Sequence, residues 1–113
     1  MSAITTHILD MSRGRPASGV TVVLESQSAQ GWQVLGHGVT DADGRLKELL
    51  PADFKLLAGT YRLTFQTGDY FDAQHVESFY REVTISFIVR DAAAHYHVPL
   101  LLSPFGYNTY RGS

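Results

Sequence analysis

Apolar and polar residues alternate with a period of two through much of this chain. Val20, Val22 and Leu24 interleave with Thr21, Val23 and Glu25, and Tyr61, Leu63 and Phe65 with Arg62, Thr64 and Gln66. Val83, Ile85, Phe87 and Val89 keep the same spacing. It puts every second side chain on one face, as in strands with one buried side. Ile4 to Leu9, Trp32 to Val39, Arg45 to Glu48, His95 to Leu102 and Phe105 to Tyr110 bring the set to about eight short strands. Turn formers separate them at Gly14 to Gly19, at Asp41-Ala42-Asp43-Gly44, at Gly68-Asp69 and at Ser103-Pro104. Gly36 and Gly38 inside the third strand predict a bulge or a close backbone approach. One helix is expected around residues 51–58, where Leu50, Phe54 and Leu57 recur at helical spacing between Pro51 and Gly59. Tyr70 to Ser78 reads as a loop with at most one helical turn, and Tyr61, Phe65, Phe79 and Phe87 read as core. The pattern predicts an all-β, two-sheet sandwich. A parallel α/β fold would need a crossover helix between most strands.

Length and composition narrow the classes. A chain of 113 residues fits a single domain, 1–113. The absence of cysteine excludes disulfide scaffolds, thiol nucleophiles and thiolate zinc sites. Nine Lys+Arg against eleven Asp+Glu give a formal charge of −2, so no bulk field draws the chain to nucleic acid or anionic membrane. No apolar run approaches the ~18–20 residues that span a bilayer. The start, Met1 to His7, lacks a basic run followed by an apolar stretch, so a cytoplasmic location is expected, and a processed periplasmic form would read the same.

Five histidines are then the main groups that titrate near neutral pH. In a strand, His95 and His97 point to one face, which suits a metal or a proton-transfer site, while spacing alone favours a solvated edge. His7 falls on the face opposite Ile4 and Ile8. Arg45 leaves a turn, where its fork could hold a planar, electron-rich ligand. Asp41-Ala42-Asp43-Gly44 lacks the remaining ligands of a calcium loop. His7, His95 and His97 have the ligand number for zinc, but no carboxylate partner can be assigned to them, and no metal is expected. His37 and His75 read as background. The end, Tyr107 to Ser113, reads as a placed segment, with Gly112 and Ser113 small enough for another backbone to approach.

Three longer motifs carry a family resemblance. They are His7-Ile8-Leu9-Asp10 followed by Gly14-Arg15-Pro16-Ala17, then His95-Tyr96-His97-Val98-Pro99-Leu100-Leu101-Leu102-Ser103-Pro104, and the terminal Tyr110-Arg111-Gly112-Ser113. With Asp41 to Arg45 between them, the chain resembles the transthyretin-like family, in particular its branch of 5-hydroxyisourate hydrolases, from about Ile4 to Ser113. In the hormone-carrier branch a lysine replaces His7, an acidic residue Arg45 and a threonine His97, and the Tyr-Arg-Gly-Ser ending is missing. All four positions here are of the hydrolase type.

The resemblance implies a sandwich of two four-stranded sheets with one short helix before the fifth strand. It implies edge-to-edge dimers, stacked as a dimer of dimers into a homotetramer whose central channel holds the active sites. The implied activity opens the cyclic amide of 5-hydroxyisourate, giving 2-oxo-4-hydroxy-4-carboxy-5-ureidoimidazoline on the route from urate to allantoin, without a cofactor. The implied catalytic residues are His7, His97, Arg45 and Ser113. His7, Arg45, Tyr110 and Arg111 would bind the purine-derived substrate, with His95 in support. The alternative on the same fold is a small-molecule carrier that performs no chemistry.

Overall fold

The computed structural model describes residues 2–113. Strands β1 (Ile4–Asp10), β2 (Arg15–Pro16), β3 (Thr21–Ser28), β4 (Gly31–Val39), β5 (Arg45–Leu46) and β6 (Gly59–Phe65) precede helix α1 (Thr67–Asp72). Strands β7 (Val83–Val89), β8 (Tyr96–Ser103) and β9 (Gly106–Thr109) follow it. One sheet runs β2-β1-β8-β9, with β5 also paired to β1; the other runs β4-β3-β6-β7. The architecture is the expected transthyretin-like β-sandwich, with the short β5 added to one four-strand path. No helix among the described residues is long and apolar enough to cross a membrane.

The core lies between the sheets. Ile4 and Ile8 of β1, Val22 and Leu24 of β3, Leu63 and Phe65 of β6 and Leu100 of β8 are fully buried. Burying each such side chain stabilises the fold by roughly 1.5–3 kcal/mol. The alternation is what turns these residues inward and leaves His7 and His97 on the outer face of their sheet. Gly36 is a close approach, since a Cβ there would lie 2.0 Å from the Leu49 carbonyl oxygen. The β3–β4 register also shifts between Leu24 and Glu25, the expected bulge.

The helix is not at residues 51–58. That segment is irregular, and the physical reason is which leucine it buries: Leu56 is 5% exposed and Leu57 67%. Tyr61 pins the segment, its hydroxyl donating to the Leu57 carbonyl at 2.6 Å and accepting from the Leu57 amide at 3.3 Å. The helix is α1 instead, following β6 where the sequence reads as a break and a loop. Tertiary contacts hold it: Phe71 is buried, and the Arg81 guanidinium donates to Asp69 at 3.1 Å and Asp72 at 2.9 Å. Phe79 likewise lies outside the core in which the sequence pattern places it. It is 73% exposed, and its ring meets Tyr80 edge-on at 5.0 Å rather than entering the core.

Candidate active site

The outer face of the first sheet gathers most of the chemistry. Strands β1 and β8 pair in parallel with Thr5 opposite His97, and β5 pairs antiparallel to β1 with Arg45 opposite His7. The turn before β5 is built to deliver Arg45. Asp41 Oδ1 accepts from the amides of Asp43 at 2.9 Å and Arg45 at 3.0 Å, and these bonds hold its carboxyl below the ordinary carboxylate value. Gly44 takes φ +74°, and a Cβ there would lie 2.3 Å from the Ile8 carbonyl oxygen, so the turn folds tightly onto β1.

A cavity of about 190 Å³ opens on this face, walled by Thr5, Thr6, Arg45, Lys47, His95, His97 and Ser113. The C-terminus reaches it because the Gly112 amide donates to the His97 carbonyl at 2.8 Å, an isolated bridge beside β8. Thus Arg45, His97 and Ser113 share one cavity wall. His7 lies beside them in register but is not one of the walls. Its Nε2 donates to the Asp43 carbonyl at 2.9 Å, which leaves Nδ1 as the acceptor of the neutral ring.

Tyr110 and Arg111 stand apart within the single chain. They line a neighbouring cavity of about 270 Å³ with Ile85, Tyr96 and Val98, and His97 is common to both cavities. Tyr110 is 57% exposed. The Arg111 guanidinium lies 4.4 Å over the Tyr96 ring and donates to the His95 carbonyl at 3.3 Å.

Electrostatics favours a neutral His97. Desolvation by burial pushes its pKa below the ordinary 6.5, and the positive charge of Arg45 and the nearby His95 and His7 push the same way. A neutral imidazole beside a permanent cation can accept a proton from water while the cation holds an anion. The rings of His95 and His97 stack at 6.4 Å, and each has a nitrogen on the Thr5 hydroxyl. Among the described residues no three His, Asp or Glu side chains are grouped to hold a metal ion.

Three wall residues, Thr5, Thr6 and Lys47, are not among those the sequence singles out. Lys47 lies two residues beyond Arg45 and Thr5 two before His7, so period-two spacing around the named residues was the available signal. His37 and His75 are exposed and lie outside the walls of both cavities.

Fold and site together define a transthyretin-type sandwich that carries a histidine–arginine centre on the outer face of one sheet. The family model for the HIUase/Transthyretin family matches residues 4–112, and the chain belongs to that family. It is 47% identical over 110 residues to a 5-hydroxyisourate hydrolase of Salmonella dublin, covering 97% of this chain and 80% of that protein. The solved 5-hydroxyisourate hydrolase of Klebsiella pneumoniae superimposes with a TM-score of 0.85 at 41% identity, covering 97% of this chain and 98% of that one. Sea bream transthyretin, solved in complex with thyroxine, superimposes with a TM-score of 0.91 at 33% identity, covering 98% and 95%. The backbone therefore matches both a 5-hydroxyisourate hydrolase and a thyroxine-bound transthyretin, and the side chains at the site must separate them.

Proposed function

We propose that this chain is a 5-hydroxyisourate hydrolase, opening the ring amide of its substrate to 2-oxo-4-hydroxy-4-carboxy-5-ureidoimidazoline. The observation that carries this reading is the meeting of Arg45, His97 and Ser113 in one cavity, where burial pushes the His97 pKa below its ordinary value. A carrier of apolar ligands has little use for a proton acceptor and a permanent cation at one spot. In the proposed reaction His97 takes a proton from water as the water oxygen attacks the ring carbonyl. Arg45 holds the heterocycle and the negative charge that develops on the carbonyl oxygen. The tetrahedral intermediate collapses with cleavage of the C–N bond. The proton on His97 passes to the leaving nitrogen, and a carboxylate and a ureido group result. His7 orients the water through Nδ1, and the Ser113 end shapes the wall.

Tyr110 and Arg111, on the far side of His97, are assigned to substrate binding in a homotetramer, where they reach a neighbouring chain's site. Two features support assembly. Strands β7 and β9 are open sheet edges, which natural proteins cover. Phe79, Tyr80, Phe105 and Tyr107 are exposed, with Tyr80 and Tyr107 packed edge-on at 5.4 Å, an apolar patch of the kind that marks interfaces.

The test is the decay of the transient absorbance formed when a urate oxidase acts on urate. Purified protein accelerates that decay if the reading is right. An unchanged decay rate, together with saturable binding of an apolar ligand, would establish the carrier instead.

A further inference from the structure

Thr5 stands between two imidazoles. Its Oγ1 lies 2.8 Å from His97 Nδ1 and 3.1 Å from His95 Nε2, and the residue itself is buried. A hydroxyl has one proton, so it serves both rings only by accepting from one and donating to the other. We propose that Thr5 is a positioning residue that ties the proton on His97 to the proton on His95, and so sets which nitrogen of His97 is free to take a proton from water. The proposal deepens the hydrolase reading and rests on it.

In the resting arrangement His97 Nδ1–H donates to Oγ1, and the hydroxyl proton is donated to His95 Nε2. His97 Nε2 is then the bare base. The opposite arrangement, with His95 Nε2–H donating to Oγ1 and the hydroxyl to His97 Nδ1, puts the ring proton on Nε2 and removes the base. During reaction Nε2 takes a proton from water, leaving His97 doubly protonated. Its Nδ1 proton can then move to Oγ1 while the hydroxyl's own proton moves to His95 Nε2. The positive charge is thereby carried to His95, which is exposed to solvent. When Nε2 gives its proton to the leaving nitrogen the two transfers reverse, and both rings return to their starting state.

The surroundings favour such sharing. The charged and titratable groups facing His97 are His7 on β1, Arg45 and Lys47 from the β5 segment, His95 beside β8, and Arg111 beyond β9. Burial and the charge of Arg45 both disfavour an imidazolium confined to His97, whereas the ring of His95 is exposed to solvent. The two rings lie within 15° of parallel, with one nitrogen of each on Thr5.

The experiment combines nitrogen-15 NMR of the histidine rings with steady-state kinetics on the full-length protein. The variants are Thr5→Val, which keeps the β-branched shape and loses the hydroxyl, Thr5→Ser, which keeps the hydroxyl, and His95→Ala at its exposed position. The parent and Thr5→Ser are expected to hold His97 as the Nδ1-protonated tautomer. Thr5→Val and His95→Ala are expected to release it to a mixture. In Thr5→Val, kcat should fall about 10- to 100-fold with little change in KM, and Thr5→Ser should restore it. An unchanged tautomer and unchanged kcat in both Thr5→Val and His95→Ala would overturn the proposal. Should the parent itself leave 5-hydroxyisourate untouched, the hydrolase reading fails, while the NMR spectra still decide whether Thr5 couples the two rings.

Discussion

Gly112 lies against the ring of His97: a Cβ added at Gly112 would sit 2.6 Å from His97 Cδ2 and 3.2 Å from Pro99 Cγ. The ring cannot simply swing aside, because its Nδ1 is held by Thr5 at 2.8 Å. Gly112→Ala should therefore displace either the imidazole or the chain terminus. A shift of about 1 Å in a reacting group can cost up to ~100-fold in rate. We expect kcat/KM to fall at least about 10-fold, with the far-ultraviolet circular dichroism unchanged. Full activity in this variant would show that the terminus does not need its observed position.

The assigned chemistry sets the size of two further losses. Removing a general base typically costs about 10²–10⁴-fold, and removing an oxyanion-stabilising donor about 10²–10³-fold. His97→Asn and Arg45→Ala should each reduce ring opening on that scale. Both side chains are on the outer face of the sheet, so the thermal midpoint should change little. The decay assay on matched concentrations of parent and variant measures it.

The direction of the His97 shift fixes a pH dependence. Its folded-state pKa lies below the ordinary 6.5, chiefly through desolvation and then through Arg45. The base thus stays unprotonated to lower pH than a free histidine would, and the acidic limb of kcat/KM should fall below 6.5. The stability effect has the same origin. As pH drops through 6.5 the unfolded chain takes up this proton first, so the contribution is present above that pH and is lost between 6.5 and the lower folded value. Arg45→Ala removes one cause, and the His97 resonances should then titrate at higher pH than in the parent. An unmoved titration would show that Arg45 does not act on His97.

Gly36 allows the closest backbone approach in the second sheet. A methyl group there meets the Leu49 carbonyl oxygen at 2.0 Å, and neither backbone can yield without shifting the buried Leu49-Leu50 pair. Gly36→Ala should destabilise the fold by about 2 kcal/mol or more, lowering the thermal midpoint by about 5 °C or more. Calorimetry reads it directly.

Tyr61→Phe tests what replaces the expected helix at residues 51–58. The substitution keeps the ring against Phe87, 6.1 Å away, and removes both hydroxyl bonds to Leu57. A loss of about 1–3 kcal/mol is expected, with faster amide exchange confined first to this segment. Equal exchange in parent and variant would mean that other contacts hold it.

Much of the fold was legible along the chain because strand alternation is a local property. Val83–Val89 is strand β7 at both ends, and Ile4 and Ile8 face inward as their spacing requires. The position of the helix is not legible in this way, because short apolar spacings are ambiguous. Leu50, Phe54 and Leu57 mimic a helical stripe, while α1 depends on Arg81, nine residues beyond Asp72. The exposure of Phe79 is not legible for a related reason, since an aromatic residue carries no local mark of whether a sheet covers it.

The candidate site divides in the same way. From its residues alone the chain determined that His95 and His97 share a face, that His7 points away from the core and that a tight turn presents Arg45. From its motifs it determined the family. Only the tertiary structure decided that β1 and β8 lie side by side, which puts Thr5 beside a histidine 92 residues away. It also decided that the terminus folds back to put Ser113 in the Arg45 cavity and Tyr110 in the next. Local spacing sets which way a side chain faces, because backbone sterics act between neighbours. Which faces meet is set by pairing and burial summed over the whole chain, and no short stretch of sequence contains that sum.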